Sequence, residues 1–363
     1  MVGAIIVKRS HWLGFRWEKH GLGGAAGQDE LDDLLLLGVQ DSRQGTAEQS
    51  LIQRTRSIGS TTVAEAISPG GPLVSLWSVR GAPHAHRLTH LNFVRDALRP
   101  QVTDDGGAEF IGAVDDVAAA LSTVVTEPTS KSDASTWVTE HVTPAVVEWC
   151  ERCKADHVPE ALFRAAGRQA QIVLGPEERR VTILHPTPDH PQNMIDHPRL
   201  KVLNAYFRVN GPTTRTQFRD WSASGSDATA DLWNEVDDDL VRVQVDDRRY
   251  DLPASLMDEV GRSPEPHGVV LVPPNDPYLR QVDRTLLVPN SKRRHEVWRP
   301  LSGPGALLVD GEVAGTWRYR RGDRTVAIVP FERLASAQRN HAEESARLVA
   351  EAVNGEAPHV TWD

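Results

Sequence analysis

The chain has 363 residues, 39% hydrophobic and 25% charged, a globular composition with length for roughly two to four small cores rather than one. Fifty acidic residues against forty basic ones give a formal net charge of −10, which excludes nonspecific coating of nucleic acid but permits a local basic face. Two cysteines exclude a disulfide framework, and no apolar run approaches the ~18 residues of a membrane span.

The first block is residues 1–126. Its opening run, Met1 to Lys8, is too short for a secretory signal and its charge follows rather than precedes it, so a cytoplasmic protein is expected. Asp29 to Leu37 has helical spacing, and Gly45 to Ser57 reads as a second, more polar helix. Between them a dense polar cluster, Gln40-Asp41-Ser42-Arg43-Gln44, breaks the apolar run Leu34–Leu37. Such a cluster suits a site that presents an amide and a carboxylate to a polar ligand. It equally suits Asp41-Ser42 capping the helix that follows. Pro72 to Arg80 alternates as a half-buried strand, Gly81-Ala82-Pro83 turns it, and His84-Ala85-His86-Arg87 follows.

The second block, 127–190, predicts a helix capped by Ser132-Asp133 and carrying Trp137, Val138 and Val142. A second helix is predicted to hold Val146, Val147 and Cys150, and a third to run from Pro159 through Ala170. Ile172–Leu174 and Arg180–Leu184 then read as a hairpin. The third block, 191–262, repeats that order with helices at Leu200–Val209, Thr214–Trp221 and Asp227–Val236. Strands at Leu240–Val245 and Arg249–Leu252 complete it. Three helices and a two-stranded wing describe a winged helix, and the first block can be read the same way. The last block, 263–363, is β-rich, with Asp310-Gly311 as its strongest hairpin signal. A small β-barrel is the expected closure, followed by an amphipathic helix, Ser336–Val353.

Arg80, His84, His86 and Arg87, with Arg95 and Arg99 nearby, form the best basic patch of the first block. They could face a DNA groove, lie in a solvated loop, or supply two histidines to a metal that lacks a third ligand. Arg293 in Lys292–His295 and Arg318 in Arg318–Arg321 could hold phosphates or be solvated turns. Cys150 and Cys153 have metal or redox spacing, with His157 the convenient third ligand. In a helix with no second pair they read as two small side chains, and no metal site is assigned.

Several stretches carry a family resemblance: Leu308 to Arg318, Asn275–Leu279 with Asp283-Arg284, Asn210–Pro212 with Phe218–Trp221, and Gly38-Val39-Gln40. Together they resemble the AlkZ-like winged-helix DNA glycosylase family over nearly the whole chain. The resemblance implies an α+β fold of three tandem winged-helix domains followed by a C-terminal β-barrel, forming a C-shaped clamp around double-stranded DNA. It also implies hydrolysis of the N-glycosidic bond of alkylated or cross-linked purines by a monomer, with no metal or nucleotide cofactor. The family's catalytic motif is Gln-X-Gln or Gln-X-Asp. Gln40 matches its first position, Ser42 stands at its third, and Asp41 fills a middle position that is apolar in the family. With the segment Trp77–Arg87, this marks a divergent branch.

The catalytic candidates are therefore Gln40, Asp41 and Ser42. The DNA-binding candidates are Arg43, Gln44, Arg80, His84, His86, Arg87, Arg293 and Arg318. A glutamine can accept from and donate to a water at once, and a carboxylate can stabilise developing positive charge. On an extended segment Gln40 and Ser42 share a side while Asp41 points away. The expected activity is a monofunctional DNA glycosylase; the alternatives are a DNA-binding regulator or lesion sensor without catalysis, and a protein-docking scaffold.

Overall fold

The computed structural model describes residues 5–24, 28–42, 45–102, 107–191, 195–280, 283–299, 301–320, 324–354 and 359–363, so Arg43 and Gln44 lie outside the described residues. The fold is mixed α+β and divides into two compact units. The first comprises Met1–Ala64, Leu203–Phe218 and Glu235–Asp363, and the second Glu65–Val202 and Arg219–Asn234. No helix among the described residues is long and apolar enough to cross a membrane.

The first unit is organised by a helix the sequence reading passed over, Arg9–Lys19. It buries Trp12, Leu13, Phe15 and Trp17 against Val243, Val245, Tyr250, Leu252 and Tyr278. Gly14 permits the close approach, because a Cβ there would lie 1.8 Å from the Pro264 carbonyl oxygen. Arg16, on the same helix, is fully buried and donates to the Tyr278 carbonyl at 2.8 Å and to the Asn210 side chain. Just before this helix, Ile5–Val7 pairs in parallel with Leu240–Val245, which pairs antiparallel with Arg248–Pro253.

The C-terminal strands form an open sheet rather than the expected barrel. Val269–Val272, Gly305–Val309, Glu312–Arg320, Thr325–Pro330 and His359–Trp362 follow one another in linear order. Among the described residues its two outer strands do not pair. Closure is unnecessary because both faces are covered. One face packs Leu271, Leu307, Trp317, Val326 and Ile328 on Ala342, Ala346 and Val349 of the helix Ser336–Asn354. Val270, Val272, Ala306, Leu308 and Val313 join the other core. Asp310-Gly311 makes the expected turn, with φ of 48° and 76°, the left-handed pair of a type I′ hairpin.

The second unit is built on antiparallel strands in the order Pro83–Arg87, Leu73–Trp77, Ile172–Glu178, Val181–Pro186 and Thr129–Ser130. Leu73, Val74, Leu76 and Trp77 are all buried, so this strand is covered on both faces instead of half-buried. Helices Gly107–Val124, Lys131–His141 and Glu160–Gln169 pack with it through Val114, Val117, Leu121, Val138, Phe163 and Ala166. The cap of the middle helix is Ser130, whose Oγ accepts from the Asp133 amide at 3.1 Å, and not Ser132. The helix predicted around Val146 and Cys150 does not form. Pro144–Val146 makes a single 3-10 turn that ends at the extended, β-branched Val147, and Glu148–Cys150 pairs antiparallel with Ala155–His157. Helices Pro198–Asn210, Arg215–Ser222 and Ser226–Asn234 match the three expected in the third block.

Candidate functional site

The strand Val39–Gln40 follows the helix Gln28–Leu37 directly, because Gly38 takes φ of 90° and ends the helix. Gln40 is 6% exposed, and its Nε2 donates to Ser42 Oγ at 2.6 Å. Ser42 itself is exposed. The two residues two apart therefore meet on one side, as an extended segment requires. The Gln40 carbonyl accepts from Thr46 Oγ1 at 3.2 Å, which fixes the backbone beneath the amide.

Asp41 points to the start of the helix Thr46–Ile52, which is shorter than the Gly45–Ser57 reading. Its Oδ1 accepts from the Ala47 amide at 3.0 Å and from Thr46 Oγ1 at 3.3 Å, so this carboxyl caps the helix from across the loop. Burial pushes its pKa up, against the lowering effect of the amides that donate to it. Glu48, on the same helix, is also pushed up, by burial first and by the charge of Asp41 second. The cluster thus has two separate sides: an anchored amide with an exposed hydroxyl, and a carboxyl committed to a helix end.

The basic candidates divide. His84 and His86 are 3% and 1% exposed, inside the sheet rather than facing a groove. His84 Nδ1–H donates to the Ala82 carbonyl at 2.8 Å, and His86 Nε2 lies 3.0 Å from Ser78 Oγ. Both rings are consumed by local bonds that hold the turn between two strands. Arg87 is half-buried at the end of its strand. Arg80 occupies the left-handed region at φ 57° and donates to the Trp221 carbonyl at 2.7 Å. It lines a cavity of about 820 Å³ together with Arg99, Arg164, Arg168, Arg199 and the single carboxylate Glu160. Arg164 donates to the Gly81 carbonyl at 3.0 Å and Arg168 to the carbonyls of Trp77, Ser78 and Leu98.

In the first unit, Arg293 donates to Glu332 at 2.8 Å and stands over the Phe331 ring. Arg318 is exposed on the strand Glu312–Arg320. A pocket of about 340 Å³, absent from the sequence reading, gathers Arg280, Arg284 and Arg299 with Trp298 and Asn275. Burial lowers the pKa of Arg280 and Arg284, and for Arg280 the charge of Arg284 adds to the effect. Among the described residues the Nε of Arg280 has no hydrogen-bond partner. Arg284 lies 5.2 Å from the centre of the Trp298 ring. Desolvated guanidiniums with an idle donor have the chemistry to pair with an anion. The signal was the pair Asp283-Arg284 within the stretch that carried the family resemblance.

The sequence profile of the DNA glycosylase AlkZ-like family matches residues 31–352. The solved structure of the Streptomyces sahachiroi DNA glycosylase AlkZ superimposes with a TM-score of 0.72, covering 99% of this chain and 100% of that one at 18% identity. At that identity the likeness is one of fold. Among curated proteins none matches this chain.

Proposed function

From the premise that this chain belongs to the AlkZ-like DNA glycosylase family, we propose that it is a monofunctional glycosylase acting on alkylated or bulky-adduct purines in double-stranded DNA. The observation that carries the reading is the bond from the Gln40 amide to the exposed Ser42 hydroxyl at the position of the family's catalytic motif. An N7-alkylated purine already carries positive charge and is a good leaving group. As the bond from C1′ to the base nitrogen breaks, its electron pair leaves with the base. Water then adds its oxygen to C1′ and releases a proton to bulk solvent. Gln40 orients that water, Ser42 anchors the amide, and Asp41 positions both by holding the loop to the helix.

Successive winged-helix modules clasp the duplex, with Arg80 and Arg87 on one part of it and Arg293, Arg318 and the Arg280–Arg284 pocket on another. Arg43 and Gln44, next in the sequence after the motif, are further contacts to the duplex in this reading. The arginines neutralise phosphates locally while the net charge of −10 keeps distant contacts weak. The engagement of Asp41 in the helix cap, and serine at the motif's third position, favour a second reading: a non-catalytic DNA-binding protein using the same surface.

Base release from duplex DNA containing N7-methylguanine tests the first reading. Gln40→Ala should slow release about a hundredfold while duplex binding persists. Release at an unchanged rate in Gln40→Ala would remove this site from the reaction. Duplex binding without base release in the unmutated protein would establish the second reading.

A further inference from the structure

The hairpin Glu148–Cys150 and Ala155–His157 carries chemistry that base excision does not use. Antiparallel pairing sets Cys150 opposite Ala155 and Glu148 opposite His157, which places Cys150 and His157 on one face. The turn folds back so that the Lys154 amide donates to the Cys150 carbonyl at 2.8 Å, with Lys154 at φ 53°. That tight return brings Cys153 under the same face. The Sγ atoms of Cys150 and Cys153 and a ring nitrogen of His157 all lie within 4.8 Å of one another. Neither cysteine is in a disulfide.

The histidine is prepared for a ligand. Its Nδ1–H donates to the Val158 carbonyl at 2.8 Å, which leaves Nε2 as the lone-pair nitrogen. That Nε2 is buried and makes no hydrogen bond of ordinary geometry among the described residues. Metal-ligating histidines are held in this way, with the outer ring nitrogen on a backbone carbonyl.

From this geometry we propose that Cys150, Cys153 and His157 bind a Zn²⁺ ion, with a solvent molecule in the fourth position. Bonds of about 2.3 Å to sulfur and about 2.0 Å to nitrogen fit this triangle after small side-chain rotations. Both thiols lose their protons to solvent as the metal binds, so the pair contributes two negative charges against the ion's two positive ones. The ion pins an exposed hairpin that has little core of its own and that carries Trp149 at its surface, 55% exposed.

The test uses the full-length chain, reduced, stripped with a chelator and titrated with Co²⁺ in the absence of oxygen. One equivalent should produce a thiolate-to-cobalt charge-transfer band and the intense visible bands of a four-coordinate site. Equimolar Zn²⁺ should bleach them. Cys153→Ser should abolish the charge-transfer band at one equivalent, and His157→Ala should weaken Co²⁺ binding by at least about tenfold. Both positions lie on the exposed hairpin, so circular dichroism and thermal melting of the stripped variants should match the stripped parent. The proposal is overturned by absent bands at one equivalent, by bands that persist in Cys153→Ser, or by reduced thiols that only reoxidise to a disulfide and take up no metal.

Discussion

Arg54 in the first unit and Arg95 in the second are both withdrawn from solvent, and their partners differ in kind. Arg54 forms a two-pronged pair with Asp276, at 2.9 and 2.8 Å, with side-chain exposures of 1% and 0%. It also donates to the His20 carbonyl at 2.7 Å and to Ser50, whose hydroxyl donates to Asp276. Arg95 donates to the carbonyls of Arg168 and Ile172 and to the side-chain oxygens of Gln171 and Thr187, all neutral. Its pKa is lowered to about 10 by burial. The first arrangement cancels charge inside the fold; the second ties loops together and leaves the positive charge standing. A buried arginine can therefore be a structural rivet in one place and a source of cationic field in another.

The largest expected effect comes from unbalancing the first arrangement. Asp276→Ala leaves Arg54 buried without its counter-charge and should cost about 3–5 kcal/mol, read from urea unfolding. A loss below about 1 kcal/mol would mean that Arg54 has a route to water and that the contrast is false. Arg95→Met should cost less, about 1–3 kcal/mol, because it removes a desolvated charge and leaves only neutral acceptors unpaired.

Asp41 offers a smaller test of a carboxyl whose burial is answered by neutral donors, the amides of the helix start and the Thr46 hydroxyl. Asp41→Ala should cost about 1 kcal/mol, the worth of a helix cap. The native pKa of this carboxyl is raised, so folding favours its protonated form. That contribution is present in acid and is lost as pH rises through the native pKa. The stability advantage of the parent over Asp41→Asn should accordingly shrink between mild acid and neutrality. An advantage that grew over that range would overturn the sign.

The smallest effect concerns the duplex. Arg80→Gln in one unit and Arg284→Gln in the other should each lower the slope of log binding constant against log salt by about one, with little change in base preference. A change in only one of the two variants would show that one unit alone meets phosphate.

Legibility in the sequence followed the strength of the local pattern. Arg215–Ser222 was readable because Phe218 and Trp221 recur at helical spacing, and both are buried. The helix Gly107–Val124 escaped notice because it is rich in alanine and glycine and its polar side is thin. Its buried Val114, Val117 and Leu121 nevertheless recur every three or four residues. At the site, two-residue alternation correctly joined Gln40 to Ser42 and sent Asp41 elsewhere. The same alternation sets His84 and His86 on one side of their strand, with ring centres 6.2 Å apart, but that side is not open to solvent, and Ala85 between them is buried as well. Burial on both faces depends on which strands and helices come to lie alongside, and that is settled by distant parts of the chain. The hairpin at Cys150 was missed for a simpler reason: its cysteine spacing was read on a helix, where a tight return is impossible.

The first unit is assembled from three separated stretches, while the second needs nothing beyond Asn234. During synthesis the second unit can finish folding while the first still lacks Val269–Val272 and every strand that pairs beyond it. Until Val269–Val272, Tyr278 and Gly305–Val309 leave the ribosome, the helix Arg9–Lys19 and its tryptophans have only part of their final surroundings. The nascent chain thus carries its most aromatic segment the longest in an unfinished state, and that segment is where a chaperone would find its first purchase.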